Sequence, residues 1–204
     1  KYGLAVIEDA AQSFGATFNG SKSCSLSTFG CTSFFPSKPL GCYGDGGALF
    51  TNNDKLAQVA REIRSHGQEK RYFSTRIGVN GRIDTIQAAV LLVKMKIFEK
   101  EVALRKKVGD RYTKLFNEQC PDDIITPYIH PKNTSVYGQY TIQVYKKRDY
   151  LMENLKKYDI PTSVHYPYGI NKQPAFATEE FNLTITDRIS KNVVSIPMHP
   201  YLKE

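Results

Sequence analysis

Ser33-Phe-Phe-Pro-Ser-Lys-Pro-Leu-Gly-Cys-Tyr-Gly-Asp-Gly-Gly47 is the stretch whose reading decides the fold. Prolines on both sides of Ser37-Lys38 exclude regular helix and stiffen the loop that carries the lysine. The glycines Gly41, Gly44, Gly46 and Gly47 then permit unusual backbone angles or the close approach of a ligand. Upstream, the apolar run Leu4-Ala-Val-Ile7 ends in Glu8-Asp9. It reads as a buried parallel strand that delivers Asp9 at its C-terminal end. Ligands of α/β folds gather at that end of the strands. Thr28 to Phe35 reads as a second apolar strand, which runs into the lysine loop. Gly47 to Thr51 reads as a third.

A lysine that forms a Schiff base needs a fixed position, an anchor for its cofactor's phosphate and an acid for the cofactor's ring nitrogen. Lys38, Ser33 and Asp9 supply one candidate for each need. This is the demand of pyridoxal phosphate chemistry: an amine to hold the aldehyde, a carboxylate to keep the pyridine nitrogen protonated, and donors for the phosphate dianion. Taken singly, Asp9 is equally a turn or helix-capping residue and Lys38 a solvated charge. Two other phosphate-binding patterns fail on the same stretch. A P-loop needs its glycines before Gly-Lys-Ser/Thr, whereas here they follow the lysine. A dinucleotide fingerprint opens a helix, whereas these glycines lead into a strand.

Composition bounds the remaining classes. With 204 residues, 41% of them hydrophobic, the chain can bury a real core, which argues against wholesale disorder. The formal net charge of +8 suits anionic ligands such as phosphates and nucleotides. Its basic residues are spread out, with short clusters at Lys70-Arg71, Arg105 to Lys107 and Lys146 to Arg148, and no nucleic-acid motif accompanies them. Cys24, Cys31, Cys42 and Cys120 show neither CxxC pairing nor metal-ligand spacing with the histidines, so they read as buried free thiols of a reducing cytosol. No apolar run approaches membrane-spanning length and no signal peptide opens the chain, so a cytoplasmic setting without membrane partners is expected. The chain opens at Lys1-Tyr-Gly without a methionine and enters a strand at once, so it is expected to be part of a larger protein.

Along the chain, Asn19-Gly20 predicts a hairpin turn. Asn52-Asn53-Asp54 caps a helix with apolar positions Leu56, Val59, Ala60 and Ile63, ending near His66-Gly67. A basic, aromatic loop follows to Asn80. Helical periodicity resumes after Arg82 and runs to about Phe116, with a possible break near Glu99 and the length to link two lobes. Pro121, Pro127 and Pro131 mark loops. Tyr140 to Tyr145 alternates like a half-buried strand, and Asp149 can cap a helix through Leu155. Thr162 to Tyr166 reads as a short strand, Tyr168 to Ala175 as a Gly/Pro loop, and Val193 to Ile196 as a last strand. The predicted domains are therefore 1–100, the remainder of a cofactor-binding large domain, and 101–204, a linking helix and a small α+β domain.

The ordered set Glu8-Asp-Ala-Ala-Gln12, Ser33-Phe34, Lys38, Gly46-Gly47, Gly78-Val-Asn80-x-Arg82-x-Asp84 and His165-Tyr166-Pro167 resembles the DegT/DnrJ/EryC1/StrS sugar-nucleotide aminotransferases. The likeness covers essentially the whole chain. It implies an α/β fold, the C-terminal portion of an aspartate-aminotransferase-like (fold type I) enzyme with part of a mixed-sheet large domain. It also implies pyridoxal 5′-phosphate as cofactor, with pyridoxamine phosphate as its intermediate form. Lys38 would hold the cofactor and shuttle the proton, Asp9 would pair with its ring nitrogen, Gln12 would lie near its ring hydroxyl, and Ser33 would bind its phosphate. Asn80 would reach the phosphate in the partner subunit of a homodimer with shared active sites, and Arg82 would lie near that site's substrate. His165 and Tyr166 would help form the sugar-nucleotide pocket.

The resemblance further implies transfer of the amine of L-glutamate to a keto sugar, leaving 2-oxoglutarate. Cys31 to Gly47 and Asn171-Lys-Gln-Pro-Ala175 resemble the subgroup that aminates C3 of UDP-2-acetamido-2-deoxy-3-oxo-glucuronic acid in O-antigen synthesis. A 4-keto-sugar aminotransferase of the same family is the nearest alternative. A sugar dehydratase of the family would replace the lysine with histidine, and a non-catalytic or interaction protein retaining the fold would not need Lys38, Asp9 and Ser33 intact. A nucleic-acid-binding module is the remote option. Two departures stand out: Gly169-Ile170 replaces the proline and leucine that many members carry, and the N-terminal loop that completes the family's phosphate site is absent.

Overall fold

The computed structural model describes residues 2–176 and 182–203. These fall into two compact units, one of residues 1–103 with 129–138, the other of residues 104–128 with 139–204.

The first unit is built on a three-stranded mixed sheet. β1 (Ile7–Asp9) pairs in parallel with β4 (Phe29–Ser33), which pairs antiparallel with β5 (Gly47–Phe50). Between β1 and β4 lies the hairpin β2 (Thr17–Phe18) and β3 (Ser21–Lys22). Its turn is Asn19-Gly20, both at positive φ (49° and 81°), the left-handed pair that a two-residue hairpin needs. The segment 129–138 joins this hairpin through the Phe18–Asn133 bridge and the Thr17–Thr134 hydroxyl pair.

Helix α1 (Asp54–Arg64) starts where the pattern predicts: the Asn53 side chain accepts the Leu56 N–H at 3.1 Å. The loop expected after it contains a small hairpin, β6 (Gln68–Lys70) with β7 (Phe73–Ser74), too short and too polar to show as alternation. Helix α2 (Thr85–Gln119) then runs without the break considered near Glu99. Glu99 sits on its surface, paired with Lys22 at 2.7 Å.

The core of this unit gathers Phe34, Leu40, Cys42, Leu91 and Phe98, with Phe14, Ala48, Ile83 and Val102 packed on it. Phe14 is its hub: its ring stacks on Phe98 at 5.6 Å and on Phe50 at 5.9 Å, and meets Phe34 edge-on at 5.8 Å. Strand β1 departs from the sequence expectation. It is parallel, as predicted, but Leu4, Val6 and Ile7 are exposed. The reason is topological: among the described residues β1 is an edge strand, and nothing covers the face that carries Ile7.

In the second unit, β8 (Ile124–Ile125), β9 (Tyr140–Val144) and β10 (Val193–Ile196) form an antiparallel sheet in the order β10-β9-β8. Helices α3 (Arg148–Lys157) and α4 (Thr184–Asn192) flank it in sequence, and α4 had no counterpart in the periodicity reading. Tyr140, Ile142 and Val194 are fully buried, as the alternation of β9 requires. The Tyr140 hydroxyl lies 2.7 Å from that of Thr113 on α2, and Tyr112 packs on its ring at 5.0 Å.

Two expectations fail here. Asp149 lies inside the first turn of α3, because Lys147 takes the boundary position in left-handed conformation. Thr162 to Tyr166 is not a strand; only Ser163 bridges, to Ser195. The loop from Tyr168 onward contains two short 3-10 turns, Ile170–Lys172 and Pro174–Phe176.

The Phe14 hub gives a stability test. Phe98→Ala should cost about 3–5 kcal/mol, read as a lower urea midpoint at unchanged denaturant slope. A loss below about 1 kcal/mol would show that the stack is not structural.

Candidate active site

Register brings the first two candidates together. Asp9 pairs with Cys31 across the parallel ladder, and Ser33 lies two residues further along β4. Side chains alternate along strands, so Asp9, Cys31 and Ser33 share one face at the C-terminal end of the sheet, while Thr32 and Ala48 share the covered face. The two strand ends are tied by the Ala10 N–H donating to the Cys31 carbonyl at 2.7 Å and the buried Thr32 hydroxyl donating to the Ala10 carbonyl at 3.1 Å. Asp9 is exposed and accepts the Ala11 N–H on Oδ1 at 3.0 Å, which orients the carboxylate. Ser33 Oγ accepts the Phe35 N–H at 3.2 Å and keeps its own proton for another acceptor.

Lys38 is half-buried in a loop whose main chain is closed on itself. Its N–H reaches the Phe35 carbonyl at 2.9 Å, Cys42 N–H the Phe34 carbonyl at 2.8 Å, and Phe34 N–H the Gly46 carbonyl at 2.7 Å. Helix α2 grips the same loop from outside. Lys94 Nζ donates to the Gly41 carbonyl at 2.6 Å, and Gln87 Oε1 accepts the Tyr43 N–H at 2.7 Å. The glycines serve packing more than flexibility here: a Cβ on Gly41 would lie 2.7 Å from the Pro36 carbonyl oxygen. Gln12 and Pro39 of this loop both stand next to Gly138: a Cβ there would lie 3.3 Å from Gln12 Oε1 and 3.5 Å from Pro39 Cγ. Gln87, Lys94 and Gly138 carry no motif of their own, so sequence reading passed over them; only spatial proximity reveals them.

Glu8, quoted in the motif without a role, accepts the Cys24 N–H at 2.8 Å and so holds the Cys24 turn against Gly30. A side chain at Gly30 would lie 2.3 Å from the Cys24 α-carbon, so this position admits only glycine. Burial, then the charges of Glu8 and Cys31, push the Cys24 thiol up to about 11. All four cysteines are free; Cys24 and Cys42 are buried, while Cys31 and Cys120 are half-buried, less than expected.

Asn80 and Arg82 are exposed and are placed differently, by a strap anchored on the C-terminus of α1. Val79 N–H donates to the Ile63 carbonyl at 2.8 Å, Gly81 N–H to the Arg64 carbonyl at 2.9 Å, and Asn80 bridges Ser65. Gly67, at φ +72°, allows the turn; a Cβ there would strike the Arg76 carbonyl oxygen. Beneath the strap, buried Glu62 accepts from Gln58 at 2.8 Å and from Arg76 at 2.5 Å. The Gln58 hydrogen bond and the Arg76 contact hold its carboxyl below the usual carboxylate range.

His165 and Tyr166 belong to the second unit. His165 is half-buried, with Nδ1 2.8 Å from Ser195 Oγ, and the exposed Tyr166 ring meets it edge-on at 5.6 Å.

A mixed α/β sheet with a carboxylate and a serine at its strand ends, and a hydrogen-bonded lysine loop following the serine's strand, is the class of fold these features define. The chain belongs to the DegT/DnrJ/EryC1/StrS aminotransferase family, whose sequence pattern matches residues 1–204. It is 55% identical over 99% of its length to UDP-2-acetamido-2-deoxy-3-oxo-D-glucuronate aminotransferase of Pseudomonas aeruginosa, of which it covers 55%. Among solved structures it is similar to a DegT DnrJ EryC1 StrS aminotransferase from Brucella abortus, with TM-score 0.92 and 39% identity over 99% of this chain and 54% of that one. It matches S. venezuelae DesV, solved in complex with a ketimine intermediate, at TM-score 0.92 and 32% identity, over 100% of this chain and 55% of that one. The fold is thus the mixed α/β fold of these fold-type-I aminotransferases. The chain spans about half the length of the curated relatives it matches.

Glu62 supplies a pH test. A carboxylate with a depressed folded-state pKa contributes stability at neutral pH that is lost as pH falls through the folded value. Val79 and Gly81 amides should therefore exchange faster below about pH 4, after correction for intrinsic rates. Glu62→Gln should remove that pH dependence; if it persists, the strap is governed by another group.

Proposed function

We propose that the whole protein is a pyridoxal 5′-phosphate-dependent aminotransferase that moves the amine of L-glutamate to a keto sugar nucleotide, leaving 2-oxoglutarate. The observation that carries the reading is the common sheet end on which Asp9 and Ser33 emerge beside the held Lys38 loop. The donor set fits the cofactor: one amine, one carboxylate with an oxygen beyond its Ala11 contact, and one hydroxyl with a proton to give. When bound, pyridoxal phosphate supplies an aldehyde to carry the amine and a ring that takes up electrons.

Each residue then has a physical task. Asp9 keeps a ring nitrogen protonated because its carboxylate is fixed by the Ala11 N–H and faces the open side of the sheet. Ser33 donates to a phosphate oxygen, and Gln12 offers an amide to a ring hydroxyl. The Lys38 amine would act as general acid and base in both halves, removing the proton from the donor's Cα in the first and delivering one to the sugar carbon in the second. Its loop's main chain is held by hydrogen bonds, so the backbone that carries the amine need not be ordered at each step. Asn80 and Arg82 serve the site of a second subunit in a homodimer, and His165 and Tyr166 contact the sugar nucleotide.

The 55% identity to the Pseudomonas aeruginosa enzyme supports C3 of UDP-2-acetamido-2-deoxy-3-oxo-glucuronic acid as the acceptor. The setting that follows is cytoplasmic synthesis of nucleotide sugars for O-antigen, the sugar chain of lipopolysaccharide. The net charge of +8 agrees with a diphosphate-linked substrate and L-glutamate as partners.

The full-length polypeptide mixed with pyridoxal phosphate should show a visible absorption band that bleaches on adding L-glutamate, and Lys38→Ala should lack the band or fail to respond. Absence of the band in the wild-type protein would overturn the aminotransferase reading. Product analysis with 3-keto and 4-keto sugar nucleotides then decides the carbon aminated.

A further inference from the structure

The second unit contains a line of three hydrogen-bonding side chains that the reading above uses only at its end. Ser195 Oγ lies 2.7 Å from Thr141 Oγ1 and 2.8 Å from His165 Nδ1. Ser195 is buried, at 5% exposure, and its backbone is held on both sides. It is in register with Thr141 on β9, and it exchanges main-chain hydrogen bonds with Ser163 at 2.7 and 3.0 Å. Buried in this way, its hydroxyl has Thr141 and His165 as its side-chain hydrogen-bond neighbours.

The two acceptors are unequal. An unprotonated imidazole nitrogen is a far stronger acceptor than a hydroxyl oxygen, which favours the arrangement in which Ser195 donates to Nδ1 over the reverse one. Thr141, half-buried, then donates its own proton into the lone pair of Ser195. Hydrogen bonds arranged head to tail in this way polarise and strengthen one another. With Nδ1 accepting, the neutral ring carries its proton on Nε2.

We propose that Ser195, backed by Thr141, is a positioning residue that fixes the His165 tautomer, so that Nε2–H is the donor offered to an oxygen of the sugar nucleotide. The assignment of a ligand to that donor rests on the aminotransferase reading; the tautomer does not. The Tyr166 ring stands edge-on to the imidazole at 5.6 Å. The pair of hydroxyls explains why a serine and a threonine face each other across β9 and β10, where two branched apolar residues would otherwise pack the sheet.

The test needs neither cofactor nor substrate. In the ¹⁵N-labelled full chain at alkaline pH, where the imidazole is neutral, the His165 ring should show Nε2 protonated and Nδ1 as a hydrogen-bond acceptor. Thr141→Val, which keeps the shape, should weaken the Nδ1 hydrogen bond. Ser195→Ala should let the Nδ1-protonated form appear, while the Ser163 amide stays protected from exchange and so reports an intact sheet. A wild-type ring protonated on Nδ1, or a tautomer indifferent to Ser195→Ala, overturns the proposal. In the holoenzyme, Ser195→Ala should raise KM for the keto-sugar nucleotide roughly tenfold, as loss of one aligned hydrogen bond does, and leave the L-glutamate half-reaction unchanged. A shifted tautomer with unchanged KM overturns the substrate role of His165 while leaving the hydrogen-bond line standing.

Discussion

The contact of Phe14 with Phe34, Phe50 and Phe98 is the constraint on which the first unit depends. It locks α2 against the covered face of the sheet, and everything that matters on the open face follows from that. With α2 in place, Gln87 and Lys94 reach the loop after β4 and hold its carbonyl and amide groups. Buried apolar area supplies the energy, and directional hydrogen bonds supply the precision. A lysine on a free loop would spend entropy each time it met a substrate; here that cost of order is met once, on folding.

The sheet is therefore two-faced in function as well as in packing. Its covered face carries Thr32 and Ala48, and its open face carries Asp9 and Ser33 at the strand ends. The strap that bears Asn80 and Arg82 is organised by another principle, a buried carboxylate on α1 satisfied by an amide and a guanidinium. Such a group is costly to bury and costly to unpair, so it fixes one arrangement of the strap. The second unit has its own device, hydroxyls set in the core beside an aromatic cluster, with Thr113 on Tyr140 and Ser195 on His165.

Much of this was legible in the residues. The Asn19-Gly20 turn, the Asn53 cap and the alternation of β9 are local signals whose cause lies within a few positions, and each appears where expected. The errors share a cause. Leu4 to Ile7 is apolar enough to be buried, but burial depends on what lies beside the strand. Asp149 is a good capping residue, but the chain's entry through a left-handed Lys147 moved the boundary. The hairpin β6–β7 is too short and polar to alternate, and α4 is only nine residues long, so its apolar pair Ile185 and Ile189 makes a stripe easily passed over.

By itself the sequence determined the class of fold and most of its local elements, and it nominated Lys38, Asp9 and Ser33, because a lysine between prolines, a strand-end aspartate and a serine at a strand terminus are local facts. Only the tertiary structure decided which of them meet. Asp9 and Ser33 share a face through strand register, Gln12 and Pro39 of the lysine loop meet beside Gly138, and Ser195 comes to His165 through its bridge to Ser163. The physical reason is distance along the chain. Contacts between residues tens of positions apart are chosen by the packing of whole elements, and no pattern within a few residues encodes them.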